Sequence, residues 1–317
     1  MGPIVNKEIL SQLVQLKVSG RLAHAYVFVG PKGIGKYETA MALAQRVNCL
    51  KKSMDMVACD CASCHKIAGA NHPDIMVIEK PEDKTGISID QIRVLMQRLE
   101  YRAMEASVKF AVIKNAELIH EAAANAFLKT LEEPRPGTVF ILTTAVPDAL
   151  LLTIRSRCQM VRFPVMANLA LAELLKSQHE VNSDDAVVLA AFGQGSPGRA
   201  LELGQDFLDR RCVVLDAFLG MGDTENFVKV AGVDRDTARE ALNIVLMACR
   251  DALFIKAGGL DKIVNRDRQV EIRRFAERHM PEDLALYADR VSDAIRRIDG
   301  NQNVKVVLTV VREMLVS

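Results

Sequence analysis

From Ala25 to Val29 the chain reads Ala-Tyr-Val-Phe-Val, apolar without a break. Similar runs recur at Ile75-Met76-Val77-Ile78, Phe110-Ala111-Val112-Ile113 and Thr138-Val139-Phe140-Ile141-Leu142-Thr143-Thr144. A sheet with one wet face alternates apolar and polar positions, whereas a parallel strand covered on both faces reads as a continuous run. The intervening segments carry a helical period. Ile9, Leu10, Leu13, Val14 and Leu16 mark one within residues 4–23, Glu38 to Val47 forms a second, and Ile92, Leu95, Met96 and Leu99 follow the capping residue Ser88 in a third. Strands alternating with helices predict an α/β domain whose parallel sheet has helices on both faces. Phe163-Pro164 closes that pattern and strand signals then cease. Leu169, Leu171, Leu174 and Leu175 mark a small helical segment, and Ala238, Ala241, Leu242, Val245, Cys249 and Leu253 a larger helical region. The expected division is 1–164, 165–205 and 206–317.

Composition narrows the function class. The 317 residues are 50% hydrophobic, enough for full cores. No apolar run approaches the roughly 20 residues of a membrane span. The first helix alternates Lys7, Gln12 and Lys17 with apolar residues, unlike a signal peptide, so a cytoplasmic protein without a membrane role is expected. Forty-one basic and forty acidic side chains give a net charge of +1, so no global field draws the chain to nucleic acid. Any DNA contact must be local or shared with partners.

The first apolar run leads into Gly30-Pro31-Lys32-Gly33-Ile34-Gly35-Lys36-Tyr37 and then a helix. Strand, G-x-x-x-x-G-K and helix are the parts of a P-loop, whose glycines let backbone N–H groups surround phosphates while the lysine reaches the terminal ones. Gly30, Gly33, Gly35, Lys36 and Tyr37 are therefore the candidate nucleotide site. Tyr37 stands where a hydrolytic P-loop has Ser or Thr to coordinate Mg²⁺. Four of seven cysteines, Cys49, Cys59, Cys61 and Cys64, fall within sixteen residues. In a reducing compartment such a cluster points to a closed, structural Zn²⁺ site, with His65 as an alternative to Cys59.

Several strings together resemble the clamp-loader branch of the AAA+ ATPases: His24-Ala25-Tyr26 before the P-loop strand, the cysteine cluster, and His72-Pro73-Asp74. Ala123-Ala124-Asn125-Ala126-Phe127-Leu128-Lys129-Thr130-Leu131-Glu132-Glu133-Pro134 and Ser156-Arg157-Cys158 complete the set. The resemblance is strongest from His24 to Cys158. It implies an AAA+ sheet domain with an inserted zinc knuckle at 49–64, a helical lid and a helical C-terminal collar. It also implies that Arg157, beside Ser156, is an arginine finger acting on a neighbouring subunit. In the family the strand ending at Ile113 runs into Asp-Glu, which hold Mg²⁺ and orient water; here Lys114 and Asn115 follow. Loss of a general base alone costs about 10²–10⁴ in rate. Glu117 is expected to be a solvated surface residue. The second-sensor string Gly195-Ser196-Pro197-Gly198-Arg199 carries its arginine one place late, so Arg199 is expected in solvent.

The resemblance therefore implies a non-hydrolysing clamp-loader subunit of the DNA polymerase III holoenzyme, within a ring of gamma/tau and delta subunits. Through that complex it would serve the sliding clamp and primer-template DNA. Mg²⁺ is not expected in this chain, and whether its P-loop holds ATP or ADP stays open. A gamma/tau-type motor would need Thr at 37 and acids at 114 and 115. A P-loop enzyme outside replication would not need Ser-Arg-Cys or a collar. Arg266, Arg268, Arg273, Arg274 and Arg278, interleaved with Asp267, Glu271 and Glu277, are expected to form a salt-bridged exposed face.

Overall fold

The protein is seen in a computed structural model that describes residues 4–51 and 59–316, so part of the 49–64 insertion lies outside the described residues. The chain divides into two units, Met1–Met166 with Gly195–Arg199, and Ala167–Gln194 with Ala200–Ser317.

Five strands of the first unit, β1 (Ala25–Val29), β2 (Ile75–Ile78), β3 (Lys109–Ile113), β4 (Thr138–Thr144) and β5 (Gln159–Arg162), form one sheet. Their order is β2-β3-β4-β1-β5, and every neighbouring pair is parallel. The helices are α1 (Lys7–Val18), α2 (Lys36–Val47), α3 (Ala62–Ala68), α4 (Ile89–Glu100), α5 (Glu121–Glu132) and the single turn α6 (Leu152–Arg155). Successive strand residues point to opposite faces. Ala25, Val27 and Val29 pack with Leu95, Phe127 and Ile154 from α4, α5 and α6, while Tyr26 and Phe28 pack with Leu10, Leu43 and Ile67 from α1, α2 and α3. Both faces are thus buried, which is why the runs do not alternate. Burying a side chain such as Phe28 stabilises by about 1.5–3 kcal/mol.

Caps and polar clamps set the element ends. Asn6 Oδ1 accepts the Ile9 N–H at 3.0 Å, and Ser88 and Gln91 form a reciprocal capping box at the start of α4. Asn48, at the end of α2, accepts from Val108 N–H at 3.0 Å and donates to Val108 O at 2.9 Å, tying the cysteine insertion to the start of β3. His72 is structural, as its string predicts: Nδ1 accepts the Asp74 N–H at 3.2 Å. Asp74 accepts the backbone N–H groups of Met104, Glu105 and Ala106.

The second unit is helical: α7 (Asn168–His179), α8 (Ser183–Phe192), α9 (Pro197–Phe218), α10 (Thr224–Ala231), α11 (Arg235–Lys256), α12 (Gln269–Arg278), α13 (Pro281–Asp299) and α14 (Val304–Val316). The first three residues of α9 belong to the other unit, and Gly204, with φ +58° and ψ −161°, breaks the helix. Helix α11 buries Leu242, Val245 and Cys249 and packs on α12 and α13. Arg211, 1% exposed, donates to Asn265 Oδ1 at 2.8 Å and to Asp267. Asn265 in turn donates through N–H and Nδ2 to the buried carboxylate of Asp251, whose pKa burial raises against those hydrogen bonds. The expected exposed ladder at 266–278 is corrected in part: Arg268 is mostly buried and bridges Asp216 and Glu271. Asp267 turns inward to Arg211 because that guanidinium has no water to solvate it.

Candidate functional site

The P-loop joins β1 to α2, and its curvature needs glycine. Gly33 and Gly35 have φ of +76° and +91°, in the left-handed region that side chains disfavour. Both also lie under other backbone. A Cβ on Gly33 would sit 2.5 Å from Arg199 N, and one on Gly35 would sit 2.2 Å from Ile4 O. Ser196 Oγ donates to Lys32 O at 2.6 Å and Gly198 N–H to Gly33 O at 2.9 Å, so the second-sensor string is bonded to the loop by its backbone. Position 198 has no room for the arginine expected there, since a Cβ would meet Gly33 O at 2.6 Å. Arg199 is exposed, as its displaced register predicts.

Lys36, 7% exposed, turns back on its own loop and donates to Gly30 O at 2.6 Å and Pro31 O at 2.8 Å. Burial lowers its pKa, partly offset by the charges of Glu117 and Glu38. The expectation that Glu117 is solvated is corrected here. It lies on the 3₁₀ turn Ala116–Leu118 after β3, is half-buried, and has one carboxylate oxygen buried without a hydrogen-bond partner. The turn begins at Asn115, in left-handed conformation with its N–H on Thr143 Oγ1 at 3.2 Å, and folds Glu117 back toward Lys36 instead of outward.

Lys114 Nζ lies 2.5 Å from Glu79 Oε2 and 4.9 Å from the centre of the Tyr37 ring. The tyrosine after the P-loop lysine and the lysine after β3 are therefore one cluster, with Glu79 as counter-charge. Burial raises the Tyr37 pKa, so the phenol is held neutral beside that ammonium. Glu79 was not found by sequence reasoning, because an acid at the end of a strand has no distinguishing pattern.

The sulfur atoms of Cys49, Cys59, Cys61 and Cys64 all lie within 4.8 Å of one another; His65 is exposed and outside the cluster. Sulfurs at the corners of a tetrahedron around Zn²⁺ are ~3.8 Å apart, given a metal–sulfur bond of about 2.3 Å. The donor set and its spacing fit such an ion. Despite burial, the N–H groups of Cys64 and Leu50 help hold the Cys61 thiol down to about 6, while burial pushes Cys64 up. One site thiol is thus already poised as the thiolate a metal requires.

The Ser-Arg-Cys string forms the turn between α6 and β5. Arg157 Nη2 lies 2.5 Å from Glu132 Oε1, and Nη1 donates to Thr153 O at 2.9 Å and Ser156 Oγ at 3.3 Å. Ser156 Oγ itself donates to Thr153 O at 3.1 Å. Arg155 is paired with Asp148 at 2.8 Å, and burial pushes the Cys158 thiol up to about 12. Leu152 and Val146, beside this turn, are 75% and 53% exposed.

A parallel 2-3-4-1-5 sheet, a P-loop between β1 and α2, and Ser-Arg-Cys before β5 define an AAA+ module of clamp-loader type. Comparison with known proteins resolves it further. The family described as "DNA polymerase III, delta subunit" matches residues 5–167, and its C-terminal counterpart matches 205–316. The DNA polymerase III subunit delta' of Bacillus subtilis is 30% identical over 296 residues, 90% of this chain and 88% of that protein. That of Escherichia coli is 30% identical over 277 residues, 86% and 82% of the two chains. A solved gamma subunit-related protein from Thermotoga maritima aligns with a TM-score of 0.46 at 21% identity, covering 96% of this chain and 98% of that one. The chain belongs to the delta-prime family of DNA polymerase III subunits. No helix among the described residues is long and apolar enough to cross a membrane.

Proposed function

We propose that the chain is a non-hydrolysing wall of the DNA polymerase III clamp loader. In this reading it holds a cytoplasmic ring of gamma/tau and delta subunits and presents Arg157 to the ATP of a neighbour. The ring then loads a sliding clamp onto primer-template DNA. The α/β unit is the AAA+ domain, residues 165–205 the lid and 206–317 the collar. One observation carries the reading: the cluster of Lys114, Glu79 and Tyr37 occupies the positions where the family's hydrolytic members hold Mg²⁺. A fixed ammonium repels a divalent cation, and its ion pair with Glu79 also engages the nearest acid. Arg157 is suited to its role because a guanidinium is permanently charged and forked, and such a finger is worth about 10³–10⁵ in rate. The exposed apolar side chains beside it suit a face that another subunit covers.

Zn²⁺ held by Cys49, Cys59, Cys61 and Cys64 would be structural, since four protein ligands leave no open position for chemistry. The purified chain is expected to contain one zinc per molecule by elemental analysis. It is expected to show no ATP turnover alone, while Arg157→Ala lowers the clamp- and DNA-stimulated ATPase of the reconstituted complex. Turnover by the isolated chain that vanishes in Lys36→Ala would make it a motor and overturn the reading.

A further inference from the structure

Glu132 is the last residue of α5, and Glu133 follows it. The carbonyl ends of a helix carry partial negative charge, so two successive carboxylates there run against the local electrostatics. Sequences break such rules where another interaction compensates or a function demands it. Here the compensation is Arg157, whose Nη2 lies 2.5 Å from Glu132 Oε1. Thr153 O and Ser156 Oγ take Nη1, so one side of the guanidinium is tied to its own chain by three acceptors. These contacts use three of the five N–H groups of an arginine, leaving Nε–H and one Nη2–H. The Arg157 side chain remains 34% exposed, next to the exposed Leu152 and Val146.

We infer that Glu132 is a positioning residue for Arg157: its carboxylate fixes the plane of the guanidinium so that the remaining N–H groups face a neighbouring subunit's phosphate. The inference rests on the reading of Arg157 as a trans-acting finger. An exposed arginine without this tether samples many rotamers and reaches the phosphate in only some of them. The loss should therefore appear in the rate of the chemical step and not in ATP affinity.

The test uses the full complex reconstituted with parental chain, Glu132→Gln, Arg157→Ala or both, and reads kcat and KM for clamp- and DNA-stimulated ATP hydrolysis. The unfolding midpoint of each variant chain is measured alongside. Glu132→Gln is nearly isosteric at a half-exposed site, and is expected to keep the parental midpoint and KM while kcat falls about tenfold. In the Arg157→Ala background it should cause no further loss, because the two side chains act as one unit. Parental kcat in Glu132→Gln, with a slow Arg157→Ala, would overturn the positioning role and leave the finger standing. Parental kcat in Arg157→Ala would remove the finger itself and this inference with it. Equal loss from Glu132→Gln in both backgrounds would show that Glu132 acts elsewhere, and would also overturn the inference.

Discussion

Gly33→Ala separates two reasons for keeping a P-loop glycine. In a nucleotide site the glycine admits phosphate; here its missing Cβ admits the backbone of residues 196–199. An alanine at φ +76° costs about 1–2 kcal/mol for the left-handed conformation alone. Its Cβ would also stand 2.5 Å from Arg199 N and 2.8 Å from Ser196 Oγ, so the segment must move away. That movement breaks the Gly198–Gly33 and Ser196–Lys32 hydrogen bonds, about 0.5–1.5 kcal/mol each. The expected total is about 2–5 kcal/mol, without nucleotide. Gly20→Ala is the control: its φ is +70°, yet nothing lies within 4 Å of the added Cβ, so only the backbone term of about 1–2 kcal/mol applies. Thermal unfolding of nucleotide-free protein measures both, at roughly 2–4 °C per kcal/mol for a domain of this size. Hydrogen exchange at Gly198 should rise in Gly33→Ala alone. Equal midpoints for the two variants, with Gly198 still protected, would refute the idea that packing fixes this glycine.

Arg211→Met removes the donor that satisfies Asn265 Oδ1 and balances Asp267. Breaking a buried pair costs about 3–5 kcal/mol, and the partial exposure of Asp267 places this one near the lower end; a urea-derived loss below about 1 kcal/mol would contradict it. At Asp74, burial raises the pKa, but the N–H groups of Glu105, Ala106 and Met104 outweigh it and leave the carboxyl below its usual range. A depressed folded-state pKa stabilises above the unfolded-state value, and that contribution is lost as pH falls through the folded-state value. Asp74→Asn should therefore destabilise at pH 7, with a gap from parental protein that closes in acid. A gap of constant size down to pH 2 would show that ionisation of Asp74 is not its source.

What could be read in advance depended on whether the cause was local. The runs at 25–29, 75–78, 110–113 and 138–144 all became strands of the one sheet, because burial on both faces acts on every residue of a strand. Gln159-Met160-Val161-Arg162 carries no such signal, since β5 is an edge strand with exposed ends. The cysteine cluster was visible through crowding alone. Arg211, Asp251 and Asn265 were not, for each looks like an ordinary helix or loop residue until the fold brings them together without water. The string 195–199 was legible as a sensor motif, but its bonding to a loop some 160 residues earlier was not.

The string Gly33-Ile34-Gly35-Lys36 persists here for reasons that do not require nucleotide. Backbone of residues 196–199 and of Ile4 needs the two glycines, and the lysine ammonium spends two of its N–H groups on Gly30 and Pro31. The replacements around them are coupled in the same way. Lys114 has both an aromatic face in Tyr37 and a counter-charge in Glu79. An acid at 114 alone would set two carboxylates side by side with no cation between them, and a threonine at 37 alone would strip the ring from the ammonium. Neither single step toward a hydrolytic site is favourable, so the cluster is self-consistent. A resident ammonium also keeps its charge whatever the state of the neighbours, which is the property required of a subunit that stays fixed while others cycle through ATP.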